Sequence, residues 1–280
     1  MDHRYGGRQE LGQNFLVDPQ VIHTVRRAVE RTEGPIVDLG AGDGALTAPL
    51  SQLGRAVNAV EIDPRRARRL SGRVAENVDV VNEDLLRYRF PPVPHTIVGN
   101  IPFHITTAAL RRILATPKWH SAVLVVQWEV ARRRAGIGGG SLLTAASWPW
   151  FDFRVLQRVP RHAFRPVPSV DGGILVISRR TRPLVEERGA YQDFVKQVFT
   201  GRGHGLREIL HRTGRIGGPE LTAWLRAHRV SPRALPKDLT AEEWAMLWSA
   251  VRGRAPRPRQ GSAVPPAAHR ARARSGRSRR

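Results

Sequence analysis

The chain has 280 residues, 41% of them hydrophobic, which is enough for one large domain or two modest ones with a proper core. Its 46 Lys and Arg oppose 24 Asp and Glu, and the formal charge of +22 excludes an acid-rich halophilic surface and points to a polyanionic partner. The absence of cysteine excludes disulfides, thiolate zinc, iron–sulfur chemistry and a Cys nucleophile.

In chain order, residues 1–17 are polar and basic and end in Gln13-Asn14-Phe15-Leu16. They hold no apolar stretch of the secretory kind, and no run approaches the ~18 to 20 apolar residues of a membrane span, so a soluble cytoplasmic protein is expected. Asp18-Pro19 opens a helix as N-cap and first position, with Ile22, Val25 and Val29 as its apolar stripe. Predicted strands follow at Ile36–Leu39, Ala56–Glu61, Val78–Val81, Thr96–Gly99, Ala122–Val126, Phe153–Val159 and Ile174–Ile177. Helical patterns at Pro64–Ala75 and Thr106–Leu114 lie between the earlier ones. The alternation predicts an α/β fold with a Rossmann-like, largely parallel sheet, and continuously apolar runs suit strands covered on both faces. After about Pro183 only short helices are predicted, at Tyr191–Phe199, Leu206–Arg212, Pro219–His228 and Thr240–Val251. Thr240 and Glu243 form a capping box ahead of Trp244, Leu247 and Trp248. The expected organisation is a catalytic domain at 1–182, a small all-helical domain at 183–251 and a disordered tail at 252–280, where ten arginines and no acid are interleaved with Pro, Gly, Ala and Ser. The tail reads equally as solvated chain or as a non-specific phosphate grip.

The first chemical motif is Val37-Asp38-Leu39-Gly40-Ala41-Gly42-Asp43-Gly44 at the end of the first strand. Glycines there let the backbone turn sharply and approach a ligand, but G-x-G-x-G is not the dinucleotide fingerprint G-x-G-x-x-G. Glu61 ends the next strand, where a carboxylate accepts both hydroxyls of a ribose. A nucleoside cofactor without a pyrophosphate, S-adenosylmethionine, suits this version better than NAD. Asp84, after the third strand, reads as an acceptor for the cofactor's adenine amine or as a solvated loop acid. Gly99-Asn100-Ile101-Pro102-Phe103 ends the fourth strand. The Asn oxygen and a nearby backbone carbonyl suit an exocyclic amine, and the aromatic suits an extruded base. In-line methyl transfer asks for positioning rather than strong acid–base catalysis. Arg132-Arg133-Arg134 reads as a phosphate contact or a charged helix end, and the glycine-rich run Gly136–Gly140 as a flexible loop. The ten histidines show no metal-ligand spacing, so no metal is expected.

Together the Asp38–Gly44 loop, Glu61, Asp84 and the Asn100–Phe103 tetrad resemble class I S-adenosylmethionine methyltransferases acting on an exocyclic adenine nitrogen. Gly12-Gln13-Asn14-Phe15-Leu16, Phe164-Arg165-Pro166-Val167-Pro168-Ser169-Val170-Asp171 and the late helices narrow the resemblance to rRNA adenine-N6 methyltransferases, over roughly residues 8–250. The tetrad, Ser147-Trp148-Pro149-Trp150-Phe151, Val170-Asp171-Gly172-Gly173 and the Arg-rich tail are similar to the Erm branch. That branch methylates one adenine in the peptidyl transferase region of 23S rRNA and gives macrolide, lincosamide and streptogramin B resistance. The alternatives are the small-subunit rRNA dimethyltransferases and a non-catalytic RNA-binding assembly factor on the same fold. The resemblance implies S-adenosylmethionine as cofactor, with Asn14, Leu16, Gly40, Glu61, Asp84 and Asn100 around it. It also implies Asn100 and Phe103 as the catalytic pair, and Ile101, Pro102 and Phe164 at the target base or RNA. Phe164 reads equally as loop-packing core. The expected partner is 23S rRNA, naked or in an assembly intermediate, with the enzyme a monomer.

Overall fold

The computed structural model describes residues 14–253. It opens with β1 (Phe15–Leu16) and α1 (Pro19–Glu30). Asp18 caps α1 as the sequence predicts, its carboxylate accepting from the N–H groups of Gln20 and Val21. The buried stripe is Val21, Val25 and Val29, so Val21 takes the place expected of Ile22, which packs beside it half-buried.

The predicted strands form as β2 (Ile36–Leu39), β3 (Val57–Glu61), β4 (Val78–Asn82), β5 (His95–Asn100), β6 (Trp119–Gln127), β7 (Phe151–Val159) and, after a two-residue β8 (Phe164–Arg165), β9 (Gly172–Arg179). Between them stand α2 (Thr47–Ser51), α3 (Pro64–Ser71), α4 (Thr106–Ala115), α5 (Trp128–Arg134) and α6 (Leu142–Ala145). Seven strands make one sheet in the order β4-β3-β2-β5-β6-β9-β7, and β1 pairs with β8 apart from it. β9 alone runs against its neighbours, inserted between β6 and β7. The central strands are buried on both faces, whereas β7 at one edge alternates and β4 at the other is only half-covered. Strand order reverses between β2 and β5, and in such sheets a crevice opens beyond the carboxyl ends at that point.

Two apolar layers cover the sheet. One joins α1 and α2 to Ile36, Val98, Val125 and Ile174. The other starts at Ile97, Leu110 and Trp119 and continues without a break into the C-terminal helices α7 (Arg188–Phe199), α8 (Leu206–Thr213), α9 (Gly218–Ala227) and α10 (Ala241–Arg252). Tyr191 of α7 bridges the two parts. Its hydroxyl donates to the Ala145 carbonyl at 2.9 Å, and its ring meets Trp150 and Trp248 edge-on. The Thr240–Glu243 capping box forms in both directions. The glycine-rich run is packed rather than free. Gly140 donates to the Lys237 carbonyl, and a Cβ there would lie 2.7 Å from the Trp148 ring. Arg132 and Arg133 pair with Glu129, while Arg134 turns inward to Ser141 and Thr144. The tail expected at 252–280 lies outside the described residues apart from its first two.

Candidate active site

The crevice is a cleft of about 350 Å³, solvent at its mouth included, lined by Asn14, Gly40, Glu61, Asn100, Pro102 and Phe103 with Phe15, Gly42 and Ile101. Seven of these were singled out from sequence. β2 delivers Gly40 and β5 delivers Asn100, adjacent strands in parallel register with Asp38 opposite Val98. The glycine loop is tied to β3 by Gly40 and Ala41, which both donate to the Val60 carbonyl. Gly42 has φ +58, a left-handed conformation natural to glycine, and a side chain there would meet the Phe15 ring at 3.3 Å.

Glu61 is 1% exposed. Its Oε2 accepts from Gly42 N–H at 2.7 Å and its Oε1 from Asp63 N–H at 2.9 Å. The carboxylate therefore fixes the glycine loop as well as lining the cleft, a duty the sequence reading did not assign. Each oxygen keeps acceptor capacity for a second donor. Asp38, beneath it, accepts from the Thr47 hydroxyl at 2.7 Å and leaves its other oxygen unpartnered. Burial pushes this carboxyl up to about 6. The Thr47 hydrogen bond opposes that shift, and the charge on Glu61 adds to it.

Asn100 donates its Nδ2 to the Asn14 carbonyl at 2.7 Å. A carbonyl only accepts, so the amide is oriented and Oδ1 is left as the acceptor at the cleft. Ile101 is buried and donates its N–H to Val125. The Pro102 carbonyl is engaged by Ile105 and Thr106 as the chain turns into α4. Phe103 is half-buried, with the Phe164 ring edge-on at 5.9 Å.

Three singled-out residues fall outside the lining. Leu16 is buried in the α1 core, because successive strand residues point to opposite sides and its neighbour Phe15 takes the cleft. Phe15 was missed for this reason. The sequence shows the segment but not which of the two side chains turns outward. Phe164 has no exposed surface; its ring sits against Gly172, where a Cβ would approach it to 2.9 Å. It thus supports Phe103 from the side and does not form an open second wall, which is the packing alternative. Asp84 is half-buried in the loop after β4 and accepts from Leu86 N–H.

The donor set fits S-adenosylmethionine. A Cβ added at Gly40 would stand 3.7 Å from the Asn100 carbonyl, so glycine keeps the gap between the two strands open to a ligand. The cleft supplies carboxylate and amide acceptors but no cluster of phosphate-binding groups. Fold and site define a class I S-adenosylmethionine-dependent methyltransferase.

Comparison with known proteins agrees. Residues 5–251 match the family model described as ribosomal RNA adenine dimethylase. The mycinamicin-resistance protein MyrB of Micromonospora griseorubida is 53% identical over 93% of this chain and 87% of its own length. An rRNA adenine N-6-methyltransferase of Corynebacterium diphtheriae is 52% identical over 75% of this chain and 85% of its own. The crystal structure of the 23S rRNA methyltransferase ErmE superposes with a TM-score of 0.78 at 35% identity, covering 85% of this chain and all of that one. The chain belongs to the ribosomal RNA adenine dimethylase family. The expectation of an Erm-type, S-adenosylmethionine-dependent rRNA adenine N6-methyltransferase, made from the motifs, is borne out.

Proposed function

We propose that the chain methylates the exocyclic N6 of one adenine in the peptidyl transferase region of 23S rRNA and so confers resistance to macrolide, lincosamide and streptogramin B antibiotics. The observation that carries the site is the Asn100–Asn14 hydrogen bond, which leaves the Asn100 oxygen as an oriented acceptor beside Glu61 and Gly40. The resistance phenotype in the name of one relative and the 23S rRNA in that of the ErmE structure support the large-subunit target over the small-subunit one.

When bound, S-adenosylmethionine supplies an electrophilic methyl group on a positively charged sulfur. Glu61 offers the free lone pairs of its carboxylate to ribose hydroxyls, Gly40 admits the ligand to the backbone, and Asp84 accepts from the cofactor's adenine amine. Asn14 and Leu16 cover the site through their backbone. At the target, Asn100 Oδ1 and the Ile101 carbonyl accept from the amino group and aim its lone pair at the methyl carbon. Phe103 stacks on the base, with Pro102 fixing the turn and Phe164 bracing the ring. These are positioning and electrostatic roles, which suit an in-line displacement.

In this reading residues 1–182 form the catalytic domain and 183–251 the RNA-binding domain, with the arginines of 252–280 a phosphate grip. The enzyme acts in the cytoplasm as a metal-free monomer on naked rRNA or an assembly intermediate, since the target adenine must be flipped into the cleft. Labelled methyl transfer to separated 23S and 16S rRNA, with primer-extension mapping, tests it. One stop in the peptidyl transferase loop is expected; label in 16S rRNA would move the chain to the maturation branch.

A further inference from the structure

A second cleft of about 810 Å³, open to solvent, lies beyond the carboxyl end of β6 and is lined by Trp128, Arg158, Arg161, Ser169, Val170 and Asp171 among others. It adjoins the target-base site through two elements. Asn100 pairs in register with Val125 of β6, and Trp128 follows three residues later. The segment from Phe164, whose ring meets Phe103, leads directly to Asp171.

Asp171 organises this cleft. Its backbone carbonyl accepts from Trp128 N–H at 2.9 Å and its Oδ1 from Arg161 N–H at 2.9 Å. Its Oδ2 takes both Nε and Nη2 of Arg158, at 2.8 and 2.7 Å. The Arg158 guanidinium lies over the Trp128 ring, 5.3 Å from the centroid. Gly173 also borders the ring, where a Cβ would come within 3.1 Å of it. The indole is thus bordered by glycine backbone and carries the guanidinium over its ring. The Arg158 side chain is 60% exposed. Asp171 cancels the charge of Arg158, which makes it a poor phosphate grip. The two contacts to the same carboxylate restrain the guanidinium beside the indole, and its planar group is a surface on which a base can stack. Arg161, exposed at the rim, remains as the cation for the adjoining phosphate.

We infer that the Trp128–Arg158–Asp171 assembly is a stacking subsite for an unpaired base flanking the target adenine in the RNA. The inference rests on the function proposed above. Flipping the target out of its helix removes a stacking partner from its neighbour, and a fixed guanidinium plane beside the cleft replaces it.

The test is steady-state methyl transfer by the full chain to an RNA hairpin carrying the target adenine, and to hairpins made abasic at either flanking nucleotide. Arg158→Lys keeps the charge and loses the plane. It is expected to raise KM for the hairpin about tenfold, with kcat within about twofold of wild type. One abasic hairpin should cost the wild type the same factor and cost the variant nothing further. A KM unchanged by Arg158→Lys, or losses that multiply when variant and abasic RNA are combined, would overturn the subsite. A parallel loss of S-adenosylmethionine affinity would overturn it too, by making Arg158 a support of the first cleft. If the wild type binds cofactor yet transfers no methyl to hairpin or 23S rRNA, the functional reading itself fails, and the subsite with it.

Discussion

The carboxyl edge of β2 and β5 and the packed interior of α7 and α10 use burial for opposite ends. At and beneath the cleft, the buried carboxylates Glu61 and Asp38 and the half-buried amide of Asn100 are each held by a named partner. Glu61 takes two backbone N–H groups, Asp38 takes the Thr47 hydroxyl, and Asn100 reaches Asn14. Among the helices, Tyr191, Phe194 and Trp244 have no exposed surface; Phe194 meets Trp244, Tyr191 and Phe194 both meet Trp248, and Phe199 stacks on Trp244 at 5.7 Å. There the Trp244 indole N–H is buried without a partner. Such a penalty is tolerable only where apolar area outweighs it. Aromatic packing is thus densest among the C-terminal helices, and the cleft keeps a glycine-rich, charged geometry that a core built for stability alone would not select.

The largest effect should come from the aromatic side of this contrast. Trp244→Ala should lower unfolding stability by about 3–5 kcal/mol, read from urea midpoints. If it falls by less than about 1 kcal/mol, the helices do not carry the burden assigned to them.

Next is Asn100→Ala, expected to cut kcat by about 10²–10³-fold while the urea midpoint stays close to wild type. Single-turnover methylation and calorimetric cofactor binding read the two halves of that statement. A variant with full turnover would remove Asn100 from the target-base site.

The smallest effect sharpens the comparison inside the cleft. The carboxyl of Asp38 is raised to about 6, so its ionisation opposes folding. Its contribution favours the fold below the ordinary carboxylate range and is lost as pH rises through the raised value. Asp38→Asn, which keeps an acceptor for Thr47, should therefore gain stability relative to wild type between about pH 4 and about pH 7 in cofactor-free protein. Parallel pH profiles for the two proteins would mean that Asp38 is not strained by burial.

Much of the cleft was legible because its parts are local. Gly40-Ala41-Gly42, Glu61 and the Asn100–Phe103 tetrad each end a strand whose apolar run is visible in the sequence. Phe15 and Leu16 show where legibility stops. Both lie in the same polar segment, and only pairing of Leu16 with Phe164 decides which one enters the core. Phe164 shows the same limit. A motif places it near the target base, yet it is fully buried against Gly172, with its ring at 74° to that of Phe103. The Pro64–Ala75 pattern likewise overran its helix, which stops at Ser71 with Gly72 as the C-cap.

By itself the sequence determined the alternation of strands and helices, the capped starts of α1 and α10, the basic character and the chemical identity of the site residues. Propensity, capping and hydrophobic period act over a few neighbouring residues and can be read without the fold. Only the tertiary structure decided that β9 inserts antiparallel between β6 and β7, that the C-terminal helices share the sheet's core, and that Asn100 is oriented by a carbonyl 86 residues away. It alone brought Trp128, Arg158 and Asp171 into one cluster. These are long-range pairings. Their energy depends on register and on the packing of remote segments, which no local pattern encodes.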